Sequence, residues 1–417
     1  MEIANRKRVI WLVNKHAAPM QYNATNLRTY KLAYFFNQMG FDTKILCSSF
    51  VHNRNINLIE GDKGFIEKEY DGVKYIFISG KEYKSNGVKR IFSLYDFARK
   101  VYKNRANFSV PDIIIHTTNI PFDSKIRKCA QLFKAKYIVE VVDLWPASFA
   151  AFGLMKESNP LMMLMYAMER KTYCTADKLV FSMEGGRDYI KDKKWNLESG
   201  GKIDLSKVYY LNNGVDVEDF DCCVKNYKIE DDDLADQRFK RIIYLGSIRL
   251  ANDLIQLIKC AETLQHRSDI KFLIYGDGDD RQSLESYCLQ HGLSNVIFKQ
   301  KWIELKYVPY VLSQADVNII NYKANSIERY GGSQNKMFQA LASGKPICSN
   351  VGMGYSIINQ YKTGIDKRFV SSDEYANAIL GLLELDSGDY QHMCLNARKA
   401  ALAFDLKKLA YKYVDLF

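Results

Sequence analysis

ERYGGSQNKMFQALASGKPI, residues Glu328 to Ile347, reads as a loop, a helix and a strand in quick succession. Gly331, Gly332 and Ser333 make a small-residue loop. Ser333 is placed to cap the helix, because its hydroxyl accepts from first-turn amides. Met337, Ala340 and Leu341 point toward a core at helical spacing. Gly344 supplies the left-handed residue that ends a helix, Pro346 follows, and Ile347-Cys348 open a strand. Such a loop aims unpaired N–H groups and the positive end of a helix dipole at whatever lies before it. That is an anion site, with phosphate the usual guest. Lys336, one turn in, adds a full positive charge. Alone, the pattern equally fits an ordinary loop–helix–strand unit, so the rest of the chain decides.

Both halves repeat the unit. Apolar runs read as strands at Val9–Val13, Thr43–Cys47, Tyr75–Ile78, Asp112–Ile115, Tyr137–Val142, Lys178–Phe181 and Val208–Leu211. A second set follows at Arg241–Leu245, Lys271–Tyr275, Val296–Phe298, Val317–Ile320 and Pro346–Ser349. Amphipathic segments of helical length separate them, which predicts an α/β fold with parallel sheets. A chain of 417 residues exceeds one compact core, so two domains are expected. Between the two sets, residues 216–238 are rich in Asp and Glu with little apolar periodicity, and read as a linker. The expected division is therefore 1–215, the linker, 239–395, and a final amphipathic helix, 396–417, carrying Leu402, Leu406, Leu409, Ala410 and Tyr413.

Nine Cys without a C-x-x-C pair suggest a reduced, cytoplasmic protein with no structural metal site. Arg6-Lys7-Arg8 precedes only five apolar residues, too few for a signal-peptide core. No run approaches the roughly 20 apolar residues that span a bilayer. The net charge of +11 is uneven: residues 1–210 carry +13 and residues 211–417 carry −2. A basic first half fits an anionic membrane surface or a merely soluble basic face. The charge is scattered and no nucleic-acid signature appears, so nucleic acid is not an expected partner.

In open α/β sheets, ligands bind beyond the carboxyl ends of strands. Four segments there carry suitable chemistry. Gly246-Ser247-Ile248-Arg249 offers a close backbone approach and a guanidinium able to grip phosphate. Gly276-Asp277-Gly278-Asp279-Asp280 has D-x-D spacing, but its place between strand and helix favours a turn over a metal site. Trp302 presents a flat ring, and the 331–336 loop supplies amides and Lys336. Together they suit a nucleoside diphosphate: base near Trp302, ribose near Gln339, diphosphate among Arg249, Lys336 and the helix end. The G-x-G-x-x-G and Walker A patterns are absent. In the first half, Asp143 ends a strand and is the candidate base or orienting group. His116 and Glu184 are weaker acceptor-side candidates, each open to a structural reading.

These residues resemble a known family. Asn212-Asn213-Gly214-Val215-Asp216, the Gly246-to-Arg249 turn, Tyr275-Gly276-Asp277-Gly278, and Asn335-Lys336-Met337-Phe338 followed by Ser343-Gly344-Lys345-Pro346 occur in the order found in family 4, or group 1, glycosyltransferases. Trp11-Leu12-Val13-Asn14, Ser48-Ser49-Phe50-x-His52, Asp143-Leu144-Trp145-Pro146 and Met183-Glu184-Gly185-Gly186 resemble the bacterial subgroup that builds capsule, O-antigen or exopolysaccharide. The resemblance implies a GT-B fold, two Rossmann-like domains with parallel sheets facing across a cleft, the 396–417 helix returning to the first domain. It implies a retaining, metal-independent transfer, with the nucleotide-diphosphate sugar as a substrate and no cofactor. Donor binding falls to the second domain, on Gly246, Ser247, Arg249, Gly276, Asp277, Trp302, Ser333, Asn335, Lys336 and Gln339. Asp143, Arg249 and Lys336 take the catalytic roles. The acceptor, a lipid-linked glycan, falls to the first domain, placing the protein on the inner face of the plasma membrane. Arg90–Phe108 and Phe149–Met168 are the segments that would face lipid. Two departures stand out. Gly331 and Gln339 occupy the positions of the family's Glu pair, leaving Glu328 as the nearest acid to stand in. Pro19–Thr25 replaces a glycine-rich first loop. An epimerase of the same fold and a non-enzymatic basic binding module are the competing readings.

Overall fold

The computed structural model describes residues 6–22, 27–51, 54–83, 88–118 and 124–417, with the backbone alone for 88–91. His52 and residues 23–25 of the Pro19–Thr25 loop lie outside them. The chain divides into two units, residues 1–212 with 406–417, and residues 213–405.

Unit 1 begins with β1 (Val9–Val13), α1 (Leu27–Gln38), β2 (Asp42–Ser48) and a small hairpin of β3 (Phe50–Val51) and β4 (Ile56–Asn57). Then come β5 (Phe65–Tyr70), β6 (Val73–Ile78), α2 (Val88–Asn104), β7 (Ile113–Thr118), α3 (Ser124–Phe133) and β8 (Lys136–Val141). It continues with α4 (Ala147–Ala151), α5 (Pro160–Thr175), β9 (Lys178–Phe181), α6 (Gly186–Asp192) and β10 (Val208–Tyr210). Eight strands form one sheet in the order β10-β9-β8-β7-β1-β2-β6-β5, parallel except for β5 against β6. The strands of the middle are apolar throughout because helices cover both faces. Every residue of β1 is buried. Edge strand β5 escaped the sequence reading: its FIEKEY is half exposed and has no apolar run.

Unit 2 holds α7 (Val217–Asn226), α8 (Asp232–Ala235), β11 (Lys240–Leu245), α9 (Ile255–Thr263), β12 (Ile270–Tyr275), α10 (Arg281–Gln290) and β13 (Val296–Phe298). After these come α11 (Val308–Ser313), β14 (Val317–Ile320), α12 (Asn335–Ala342), β15 (Ile347–Ser349), α13 (Ile357–Gln360) and β16 (Gly364–Asp366). The unit closes with α14 (Ser372–Leu383) and α15 (Ser387–Ala403). Its sheet is fully parallel in the order β13-β12-β11-β14-β15-β16.

Two expectations are corrected. The acid-rich 216–238 stretch is part of unit 2, not a free linker. Its acids cap and pair. Asp216 accepts from Asp219 N, and Asp231 caps α8. Lys299 bridges Asp231 and Asp233 at 2.7 Å each. Val217 and Phe220 are buried in the α12–α15 core. The final helix is also two helices. α15 ends at Ala403 in unit 2, with Leu402 exposed, and α16 (Leu406–Val414) belongs to unit 1. At the break the Asp405 carboxylate accepts from Val217 N at 3.1 Å. α16 packs on α1, and a buried network holds it: Glu140 takes Arg28 Nε at 2.9 Å, Thr117 Oγ1 at 2.7 Å and Tyr413 OH at 2.5 Å. Arg28 also donates to the carbonyls of Asn212 and Leu211. The opposite charge holds Glu140 below its ordinary pKa despite burial. Among the described residues, no helix is long and apolar enough to cross a membrane.

Candidate functional site

In unit 2 the strand order reverses between β11 and β14. β12 and β13 lie on one side of that point, β15 and β16 on the other. The loops after β11, β12 and β14 therefore open at the crevice where doubly wound sheets bind ligands. Three glycines bring the first two loops into backbone contact. Gly246 N donates to Tyr275 O at 3.0 Å, and Ile248 N to Asp277 O at 2.9 Å. A Cβ at Gly276 would lie 1.8 Å from Gly246 O, and one at Gly278 would lie 2.1 Å from Ile248 O. Arg281, buried at the start of α10, binds Gly276 O at 2.5 Å and Lys299 O at 2.8 Å. With Gly276 N on Gln300 O, it draws the segment before Trp302 against the same loops. Trp302 itself is exposed.

Lys336 enters from α12. Its ammonium donates to Tyr244 OH at 3.1 Å and lies 4.8 and 5.3 Å from the Tyr244 and Tyr322 ring centres. Tyr244 passes its own hydrogen to Ser247 O at 2.6 Å. A Cβ at Gly246 would fall 2.2 Å from Lys336 Nζ. The glycine thus leaves room for the cation at the mouth of β11. Lys336 is half-buried and forms no ion pair with a described residue. Burial lowers its pKa to about 8. The Arg249 side chain, exposed beside Gly278, has no hydrogen-bond or ion-pair partner among the described residues. The result is a glycine-lined loop edge with two cations and, among the described residues, no counter-charge on either.

Behind it, buried asparagines lock the loops. Asn321 donates to the carbonyls of Asn252 at 2.7 Å and Asp253 at 2.9 Å, and accepts from Tyr375 OH. Ser247 Oγ bonds Asn252 Oδ1 at 3.0 Å. Asn321, Asn252, Arg281 and Tyr244 were not singled out from the sequence, where isolated Asn or strand Tyr carries no signal. The Asn-Asn-Gly run at 212–214 was the one available hint for Asn213, which donates to Ser333 O at 3.1 Å and to Asn335 Oδ1.

Ser333 does not cap α12. Gln334 holds that position and makes no side-chain cap bond. Of its first-turn N–H groups, that of Met337 donates to Gln334 O at 3.1 Å, and those of Asn335 and Lys336 precede the first i→i−4 acceptor of the helix. Gly331 adopts φ +91° just before them, and Gly344 ends the helix at φ +66°. Gln339 is half-buried, one turn beyond Lys336. Asp277 and Asp279 are both exposed in the turn before α10. Glu328 is not available to stand in for an acid at 331. Its carboxylate accepts from Asn325 N at 3.1 Å and Nδ2 at 3.0 Å, closing a capping box. Burial raises its pKa to about 7.

In unit 1, Asp143 is exposed after β8, and its carbonyl accepts from Trp145 N. Glu184 is half-buried before α6. His116 lies within β7, 5% exposed, with Nδ1 3.0 Å from Tyr137 OH and the rings stacked. It is a packing residue, the structural alternative for it. Lys15, after β1 where the order of this sheet reverses, was not foreseen. It is buried against Ser93 Oγ at 2.8 Å and over the Tyr83 ring.

Residues 227–400 match the family described as Glycosyl transferases group 1. No curated protein sequence matches the chain. Sucrose-phosphate synthase from Thermosynechococcus elongatus superposes with a TM-score of 0.72 at 15% identity, over 98% of both chains. An E. coli trehalose-6-phosphate structure bound with UDP-2-fluoro glucose does so at 0.72 and 12%, over 98% of both. WaaG, a glycosyltransferase involved in lipopolysaccharide biosynthesis, gives 0.65 and 15%, over 98% of this chain and 99% of its own. The likeness establishes the two-domain Rossmann-type architecture of these proteins for this chain.

Proposed function

We propose that this chain, a group 1 glycosyltransferase of the GT-B fold, moves a sugar from a nucleotide diphosphate to a lipid-linked glycan in surface-polysaccharide synthesis, with retention and without a metal. What carries the reading is Lys336: a half-buried cation without a carboxylate partner, at the sheet's switch point, facing glycine backbone. The UDP-2-fluoro glucose bound in the E. coli structure of the same fold and the lipopolysaccharide role of WaaG support it.

The chemistry follows from charge. Cleaving the glycosidic bond leaves negative charge on the diphosphate and oxocarbenium character on the sugar. Lys336, Arg249 and the first-turn amides of α12 neutralise the departing diphosphate, and preorganised donors of this kind are worth several kcal/mol. The acceptor oxygen attacks from the leaving-group side, and the departing phosphate takes its proton. Asp143 orients the acceptor hydroxyl. Trp302 and Gln339 hold base and ribose. The protein works at the inner face of the plasma membrane, where its acceptor resides.

Melting curves against UDP-, GDP-, dTDP- and ADP-sugars identify the donor, since a ligand of the native state raises its melting temperature. Arg249→Ala is expected to lower transfer by ~10²-fold or more, the scale of losing one such donor. An unchanged rate overturns the assignment. A rearranged sugar-nucleotide formed from donor alone marks an epimerase instead.

A further inference from the structure

The helical layer of unit 1 carries a surface that its core does not explain. α2, α3 and α5 connect β6 to β7, β7 to β8 and β8 to β9, all stepping in one direction across the sheet. Right-handed crossovers place all three on the same face. α2 packs on α3, and Arg127 of α3 reaches Thr175 at the end of α5 at 3.5 Å. α1 steps the other way and covers the opposite face with α16.

Each helix of this layer starts at the carboxyl edge of the sheet, and α2 and α5 expose apolar residues within their first turns. In α2, Phe92 and Tyr95 are exposed. In α5, Leu161, Met163 and Leu164 are exposed, Met163 by 63%, with Leu154 just before them at 68%. Inward positions of the same helices, Phe97, Val101, Met162 and Met165, are buried. α5 is therefore apolar on both sides near its start. Farther along, the outward positions turn basic: Lys103 on α2, Lys128 on α3, Arg170 and Lys171 on α5. Unit 1 as a whole holds 37 Lys and Arg against 22 Asp and Glu.

We propose that this edge is the membrane-docking surface, with Leu154, Leu161, Met163 and Leu164 inserted among lipid tails and the basic band at the level of anionic headgroups. Charge selects the occupant. An apolar edge backed by lysine and arginine matches an anionic lipid surface, which takes both in that spatial order. A second copy of the chain would bring the same positive band against its own. The inference rests on the lipid-linked acceptor proposed above, and assigns that reading's membrane contact chiefly to α5.

The test is flotation of the full chain with vesicles of 30% phosphatidylglycerol in phosphatidylcholine and of phosphatidylcholine alone. Binding to the anionic vesicles is expected, weakening with salt. Leu161→Ser/Met163→Ser/Leu164→Ser is expected to weaken it at least tenfold. Arg170→Ser/Lys171→Ser, exposed and tolerant of change, should weaken it severalfold in low salt only. Retention of wild-type binding by both variants overturns the assignment, as does absence of binding in low salt. Self-association of the wild-type chain that the triple variant abolishes, without vesicle binding, assigns the edge to a second copy and also overturns it. The nucleotide-induced melting shift, measured on the same samples, reads the donor site separately. Its loss condemns the transferase reading, while its persistence without vesicle binding condemns only the docking surface.

Discussion

Replacing Lys336 by Met separates stability from function in opposite directions. The ammonium is held by Tyr244 OH at 3.1 Å and two aromatic rings, with no carboxylate. Burial lowers its pKa from 10.5 to about 8. Below about pH 8 folded and unfolded chains both hold the proton, and the folded chain bears the full cost of a desolvated charge. Between about 8 and 10.5 the folded chain releases the proton first, so stability rises with pH. The shift corresponds to at most about 3 kcal/mol, at 1.36 kcal/mol per pKa unit. Methionine keeps the length of the stem, and Tyr244 keeps Ser247 O as its acceptor. Lys336→Met should therefore be more stable than wild type at pH 7 by about 1–3 kcal/mol. It should also bind nucleotide diphosphate poorly. Hydrogen exchange at α12 amides under urea reads unit 2 directly. A nucleotide at a hundred times its Kd should protect wild type by about 2.7 kcal/mol and the variant far less. Wild type should gain stability from pH 7 to 10 relative to the variant. A variant less stable than wild type without ligand at pH 7 refutes the reasoning, as does equal protection of both by nucleotide.

Three further outcomes follow from buried groups. Glu169 is buried against Tyr173 and Tyr189 hydroxyls, and its pKa is raised to about 8. The folded chain keeps its proton between about pH 4.5 and 8 while the unfolded chain loses it, so stability falls across that window. Glu169→Gln should flatten the fall, gaining up to about 3 kcal/mol at pH 7 in urea titrations. Glu140→Ala strands Arg28 in the core and should cost about 3–5 kcal/mol, with early proteolysis of α16. Because Glu140 titrates below its ordinary value, the wild-type contribution is present above pH 4.5 and fades as acid protonates it. Gly276→Ala sets a Cβ against backbone, Gly246 O, where no side chain can yield. It should cost more than about 2 kcal/mol, whereas Gly292→Ala, left-handed but in open space, should cost about 1 kcal/mol in thermal melts.

The fold was legible wherever burial on both faces forces a continuous apolar run. Val9–Val13, Lys178–Phe181, Val296–Phe298 and Val317–Ile320 have the bounds read from sequence. It was illegible where an element is stabilised by something other than apolar burial. Edge strand β5 needs backbone pairing on one side alone, so Glu67, Lys68 and Glu69 can alternate through it. α7 and α8 read as a linker because their acids look solvated. Asp216 and Asp231 satisfy helix-start amides, and Lys299 and Lys271 lie across from Asp231 and Asp233. The break at Phe404-Asp405 is hidden because Leu402, Leu406 and Leu409 continue one helical period across it.

The candidate site was partly legible for a different reason. Glycines that follow strands mark close backbone approach, and Gly246, Gly276 and Gly278 do bring two loops together. What the sequence does not contain is the difference between one lysine and another. Lys299 and Lys336 both stand near a strand end on an α/β scaffold. Lys299 meets Asp231 and Asp233 at 2.7 Å, and its charge is spent on structure. Lys336 meets two tyrosines, which lower the polarity around it without neutralising it. Only the second arrangement leaves attraction for an incoming diphosphate, so the distinction is set by which residues the fold places around each ammonium. For these two lysines, the binding residue is thus recognised by the carboxylate partner the fold withholds from it.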